Sequence, residues 1–174
     1  MSLRTLLIPL LLIGCGGGRP SGLPPPVVGP DGRAAETVDL ALPTLDGRTI
    51  RLADYRPRIV LVNYFATWAP ASLDDLPALS ALDDELVDLQ VVAVNLDLKP
   101  EDLLPAFFEV LPVSFPVVIA DAATRQGLTP FGKVTAIPVS YLLDGSGRFV
   151  EMFHGVAPVD HIRRRVSELA LEAR

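Results

Sequence analysis

The sequence predicts an α/β fold with a mixed central sheet and helices on both faces, and three observations carry that expectation. Ile59-Val60-Leu61-Val62 and Val91-Val92-Ala93-Val94 are short, unbroken apolar runs of the kind that form strands buried on both faces. Between them Leu73, Leu76, Leu79, Leu82 and Leu86 recur at helical spacing, which makes a strand–helix–strand unit with parallel strands. Further on, Asp144-Gly145-Ser146-Gly147 separates two strand-like segments and reads as a hairpin turn, which adds antiparallel pairing.

Taken in order, Val38 to Leu42 alternates and reads as a strand, Asp46-Gly47 as a turn, and Thr49 to Leu52 as the returning partner. The strand over Arg58 to Phe65 leads into a helix from about Pro70 to Leu86, in which Pro77 predicts a kink. Leu89 to Leu96 is the next strand. Pro100 suits a first helical position before Glu101 to Val110. Phe115 to Ile119 is a short strand. Pro138 to Leu143 and Arg148 to Phe153 form the late hairpin, and a last helix from Pro158 to about Glu172 turns Ile162, Val166 and Leu169 to one side.

The first 35 residues are of another kind. Met1-Ser2-Leu3-Arg4 is a weakly positive start, and Leu6 to Ile13 is an apolar run broken only by Pro9. That length fits a signal-peptide core and is too short to span a bilayer. Eleven of the 17 residues from Gly16 to Gly32 are Gly or Pro, a composition that cannot bury enough apolar surface to offset its ordering cost. The expected organisation is a signal peptide over 1–14, a tether over 15–35 and one folded domain over 36–174.

Composition excludes several functions. The formal charge is -6 and the pI about 4.8, and the one basic cluster, Arg163-Arg164-Arg165, reads as a solvated helix face, so nucleic acid is not an expected partner. The single cysteine, Cys15, can form neither an internal disulfide nor a zinc site alone. Asp83, Asp84 and Glu85 are adjacent on a helix and point in different directions, and no spacing among Asp97, Asp121 and Asp144 selects a metal. No metal or cofactor is expected.

Two motifs narrow the fold. Val60-Leu61-Val62-Asn63-Tyr64-Phe65-Ala66-Thr67-Trp68-Ala69-Pro70-Ala71-Ser72 resembles the active-site strand and turn of the TlpA/ResA-like thioredoxin family of envelope thiol–disulfide oxidoreductases, with Asp75 and Pro77 meeting that family's acid and proline. Val134 to Arg148, containing Ile137-Pro138, resembles its cis-proline loop and following hairpin. Leu12-Ile13-Gly14-Cys15 resembles the bacterial lipobox. The resemblance implies a thioredoxin-like three-layer α/β/α sandwich with an N-terminal hairpin, exported and held on a membrane through lipid on Cys15. Gly16 in place of a retention aspartate leans towards the periplasmic face of the outer membrane.

The same resemblance places the family's two cysteines at Ala69 and Ser72. Exchange needs a thiolate to attack and a second thiol to resolve, and neither a methyl nor a hydroxyl supplies one. No catalytic residue is therefore expected at this turn. Ser72-Leu73-Asp74-Asp75 has the form of a helix-capping box, and neither His154 nor His161 is aimed at Ser72 by anything in the sequence. The family's arrangement would make Trp68, Ala69, Pro70, Ile137 and Pro138 a shallow groove for a peptide or protein partner; Trp68 and Pro138 can equally be read as retained core and turn residues. Two other readings compete with a binding module: an enzyme, either a member of an oxidoreductase system that works through a partner's thiols or a serine- or carboxylate-based activity, or a purely structural domain.

Overall fold

The computed structural model describes residues 37–173. The expected signal peptide, Cys15 and the expected tether lie outside the described residues. The described residues open with a hairpin of β1 (Ala41–Pro43) and β2 (Thr49–Arg51), followed by a 3-10 turn over Leu52–Tyr55. Then come β3 (Ile59–Phe65), α1 (Pro70–Glu85), β4 (Leu89–Asn95), α2 (Pro100–Val110), β5 (Val117–Ile119) and α3 (Ala122–Gln126). The antiparallel pair β6 (Val139–Leu143) and β7 (Phe149–His154) leads to α4 (Val159–Glu172).

The main sheet has the order β5-β4-β3-β6-β7, with β3, β4 and β5 parallel and β6 and β7 antiparallel to their neighbours. This is the mixed α/β sheet the sequence predicts. Both apolar runs occupy its middle, where every residue of β3 and β4 is buried. Alternation along each strand divides the core. Leu61, Phe65, Val91 and Leu142 face one side and meet Leu76, Leu79, Leu104, Ile162 and Val166 of α1, α2 and α4. Val62, Tyr64, Val94 and Tyr141 face the other side, where Leu42 and Leu52 of the hairpin segment and Phe131 cover them. At about 1.5–3 kcal/mol for each large apolar side chain fully buried, these layers are the main stabilising contribution.

Local chemistry explains the turns. Asp144 Oδ1 accepts from the Ser146 and Arg148 amides at 2.8 and 2.9 Å, and Gly147 adopts φ 82°, which a side chain would strain. Asp121 caps α3 by accepting from the Thr124 amide at 2.7 Å, and Gly127 closes that helix in the left-handed region. The sequence reading passed over this helix of five residues.

Three expectations are corrected. The first strand is Ala41–Pro43 and not Val38–Leu42: the Val38 amide donates to the Gly147 carbonyl and Thr37 bridges Arg148, so Thr37 and Val38 are paired to the late hairpin instead of to β2. Leu73 points outward and is 47% exposed, because the inward row at the start of α1 runs through Ser72, Asp75 and Leu76. Ser72 does not cap α1. The cap position is Ala69, which offers no side-chain acceptor, and Ser72 lies inside the first turn with its Oγ buried and unpaired. Pro70, pre-set for helical φ and lacking an amide hydrogen, starts the helix in its place. Helix α1 runs on through the exposed Pro77.

The acidic run at the end of α1 is only partly in solvent, with Asp84 and Glu85 exposed and Asp83 half-buried. Asp83 accepts from the Val91 amide at 2.6 Å, and burial pushes its carboxyl above the ordinary carboxylate value. Glu85 makes a two-pronged pair with Arg163 of α4 at 2.8 and 2.9 Å, so that member of the basic cluster joins two helices.

Candidate functional site

The end of the sheet where β3, β4, β5 and β7 finish and β6 begins carries the segments singled out in the sequence. β3 exits at Phe65 into a tight turn in which the Ala69 amide donates to the Ala66 carbonyl at 3.1 Å. The Thr67 amide donates to Asp97 Oδ2 at 3.1 Å, and Asn95 Nδ2 donates to the same oxygen at 2.8 Å. Asp97 is buried and stands just beyond β4, so the exit of one parallel strand fixes the turn at the exit of the next. On that braced turn Trp68 is 70% exposed while Ala69 is 5% exposed. The turn thus holds a large indole in solvent beside a buried methyl.

The second segment arrives from β6. The Ile137–Pro138 peptide bond is cis, Pro138 is buried and Ile137 is half-buried. Val139 opposes Tyr64 in the antiparallel register, so one step further along brings Pro138 opposite Phe65, where the Trp68 turn begins. The Pro138 carbonyl accepts from the Gly155 amide at 2.9 Å, which ties the loop after β7 to the cis bond. Trp68, Ala69 and Pro70 on one side and Ile137 and Pro138 on the other thus leave the same end of two adjacent strands.

Beneath the turn lies a polar cluster that the sequence analysis did not assemble. Asp75, fully buried on α1, accepts from Asn63 Nδ2 at 2.7 Å on Oδ2 and from the Ala157 amide at 2.7 Å on Oδ1. Asn63 Nδ2 also donates to Ser140 Oγ at 3.0 Å. Burial raises the Asp75 carboxyl above its ordinary value of 3.8, against the lowering effect of its two donors. The signal for this cluster was a polar residue, Asn63, inside an otherwise apolar buried strand, which must find partners in the core.

The chemistry open to this arrangement is limited. Ser72 Oγ has no hydrogen-bond partner. His161 Nε2 is engaged by Glu151 at 3.0 Å and His154 is exposed, so neither serves Ser72 as a base. Asp97, Asp121 and Asp144 serve an amide, a helix cap and a turn respectively, and no group of three metal-ligating side chains occurs among the described residues.

Comparison with known proteins agrees with this architecture and defines the class. The chain superimposes on the exposed lipoprotein thioredoxin Etrx1 of Streptococcus pneumoniae with a TM-score of 0.63, covering 75% of this chain and 98% of that one at 24% identity. The fold is thioredoxin-like. The AhpC/TSA family model matches residues 33–165, and the chain belongs to that family. It is 34% identical over 112 residues to the thioredoxin-like protein YneN of Bacillus subtilis, covering 63% of this chain and 64% of that protein. It is 27% identical over 133 residues to the thiol-disulfide oxidoreductase ResA of Geobacillus thermodenitrificans, covering 75% and 74%. The chain is thus a distant homologue of thioredoxin-like thiol–disulfide oxidoreductases, with its one cysteine at position 15, outside the described residues.

Proposed function

We propose that this protein is a redox-inactive thioredoxin-like lipoprotein of the cell envelope, which holds a peptide or protein partner without covalent exchange at the former active-site end of the sheet. The observation that carries the reading is the exposed Trp68 on a braced turn beside Ala69, in a chain with no cysteine after position 15. A groove used only for binding needs the indole, the cis-proline loop and their support, and needs no thiolate. Cys15, following Leu12-Ile13-Gly14, carries the lipid, and the Gly/Pro-rich tether holds the domain off a membrane, with the outer membrane favoured by Gly16. No helix among the described residues is long and apolar enough to cross a membrane. The similarity to an exposed lipoprotein thioredoxin among the solved structures supports an envelope setting.

The test is capture of envelope proteins on the membrane-anchored chain beside a folded Trp68→Ala variant. A partner held by the wild type and lost from the variant supports the groove, and equal retention by both contradicts it. A second reading draws on the activity for which ResA is named: this chain serves a thiol–disulfide system through a partner's thiols. It requires the captured partner to carry a reactive cysteine pair.

A further inference from the structure

The proposed groove lies at one end of the sheet, and a second opening lies on the sheet's outer edge. Val117 of β5 opposes Ala93 in the middle of β4, two residues short of the Ile119–Asn95 pair at the end that carries Trp68. Beside Val117 a cleft of about 500 Å³ runs between the tip of the β1–β2 hairpin and α2. That volume falls in the usual range for a small-molecule site, about 300–1,000 Å³. None of the residues assigned to the Trp68 groove lines it.

The sequence explains the opening. Pro112 follows the end of α2 and Pro116 precedes β5, and two residues with fixed φ and no backbone N–H keep the connection a loop. Thr44 bridges Val118, which brings the hairpin tip to the edge of β5. Leu45 and Ile50 line the cleft from the hairpin, Leu104 and Phe108 from α2, and Phe115 and Val117 from the segment entering β5. Leu45 remains exposed there.

The lining sorts ligands by chemistry. Pro105, Pro112 and Pro116 also face the cleft and have no N–H to donate, so an extended peptide would find few partners for its carbonyls. A hydrocarbon chain has no polar group to leave unpaired. The charged lining residues, Asp46 and Arg48, both stand on the hairpin turn. Both Asp46 oxygens are engaged: Oδ1 accepts from the Thr44 hydroxyl, and Oδ2 accepts from Arg48 Nε at 2.8 Å. With Nε so used, the two Nη atoms of Arg48 have no partner among the described residues. Their N–H groups form a planar fork that matches the two oxygens of a carboxylate.

We propose that this cleft binds a fatty acid, with the hydrocarbon chain between the hairpin and α2 and the carboxylate on the Nη edge of Arg48. Apolar contact holds the chain, and Arg48 sets which end lies at the hairpin turn. A cationic head group on the same chain would meet Arg48 as a like charge. Neither Trp68 nor a lipid on Cys15 takes part, so this site and the proposed function fail separately.

The experiment adds decanoate, kept below the concentration at which it self-associates, to the full chain and follows the backbone amides by NMR. The expected result is saturable shifts at Ile50, Phe108 and Val117, unchanged in Trp68→Ala. Decyltrimethylammonium, the same chain with a cationic head, should bind more weakly than decanoate. Arg48→Glu should lower decanoate affinity about tenfold or more, as the loss of a charge-assisted contact requires, and should not weaken the cation. Leu45→Asp, at an exposed turn position, should weaken both. Should Arg48→Glu fail to fold, the comparison of head groups on the wild type decides. Equal affinity for the two head groups, decanoate binding untouched by Arg48→Glu, or shifts centred on the Trp68 turn overturns the proposal. So does the absence of any saturable shift, or a cleft whose amides already shift with protein concentration alone, which would give it to a second copy of the chain.

Discussion

The Asn63 carboxamide and the Asp75 carboxylate meet at 2.7 Å in the core, and through this contact the central strand holds the first turns of α1. The same carboxylate reaches the Ala157 amide, 82 residues away in sequence, so one buried acid joins the strand and helix of the Trp68 turn to the loop after β7. The cluster is what keeps the site end of the sheet in one arrangement. Its removal has a defined cost.

Asp75→Ala leaves the Ala157 amide and one Asn63 hydrogen without their acceptor. Each unpaired buried group costs about 1–3 kcal/mol, so a total loss of about 2–6 kcal/mol is expected for the two. Urea denaturation measures it as a lowered midpoint with an unchanged slope.

The pH dependence of stability has a worked sign. Because the folded-state pKa of Asp75 is raised, the folded protein holds the proton more tightly than the unfolded chain. The stability from this group is fully present below the unfolded value, near 3.8, and is lost as pH rises through the folded value. Wild-type stability relative to Asp75→Asn is therefore expected to increase as pH falls through that window. Paired urea titrations check it, and subtraction removes most of the contribution of Asp83, which is shifted the same way, and of Asp121, which the Thr124 amide shifts the other way.

Trp68→Ala should leave the fold intact. The side chain is mostly in solvent, and surface substitutions away from caps and cores stay within about 0.5 kcal/mol. Leu61→Ala, at a fully buried position between the sheet and its helices, is expected to cost about 2–5 kcal/mol. Thermal unfolding of both variants separates the roles: one residue is displayed and the other packed.

Cysteines at the two positions should revive exchange chemistry if the scaffold is the family's. Positions 69 and 72 flank the first turn of α1, and side chains three apart on a helix lie about 5–6 Å apart at Cβ, so a modest local shift closes a disulfide. The double substitution Ala69→Cys, Ser72→Cys is expected to reduce a protein disulfide in a standard dithiol-coupled assay, where the wild type does not. A double variant that is folded and oxidisable yet inert would show that the surrounding site has diverged from exchange.

The parts of the fold legible in the sequence were those set by periodicity and by strong turn chemistry. The buried runs at Ile59 and Val91 became adjacent central strands, and Asp144 to Gly147 became the turn between β6 and β7. What escaped was set by partners distant in the chain. Ser72 resembled a helix cap because the local pattern fitted, whereas Pro70 had already begun the helix and Asp75 was committed to Asn63 and Ala157. Val38 to Leu42 reads as one strand paired with Thr49 to Leu52, but the late hairpin offers Val38 a partner more than 100 residues on. At the site, Trp68 and Pro138 were named from their motifs, while the Asp97 brace under Thr67 had no sequence signal beyond an acid after a strand.

The central claim is that Trp68 displays a binding face at a site without redox chemistry, and capture from envelope extract by wild type beside Trp68→Ala tests it most directly. The account predicts a partner retained by the wild type under non-reducing and reducing conditions alike, and lost from the folded variant. A partner retained equally by both proteins, or released from the wild type by reductant, would contradict it.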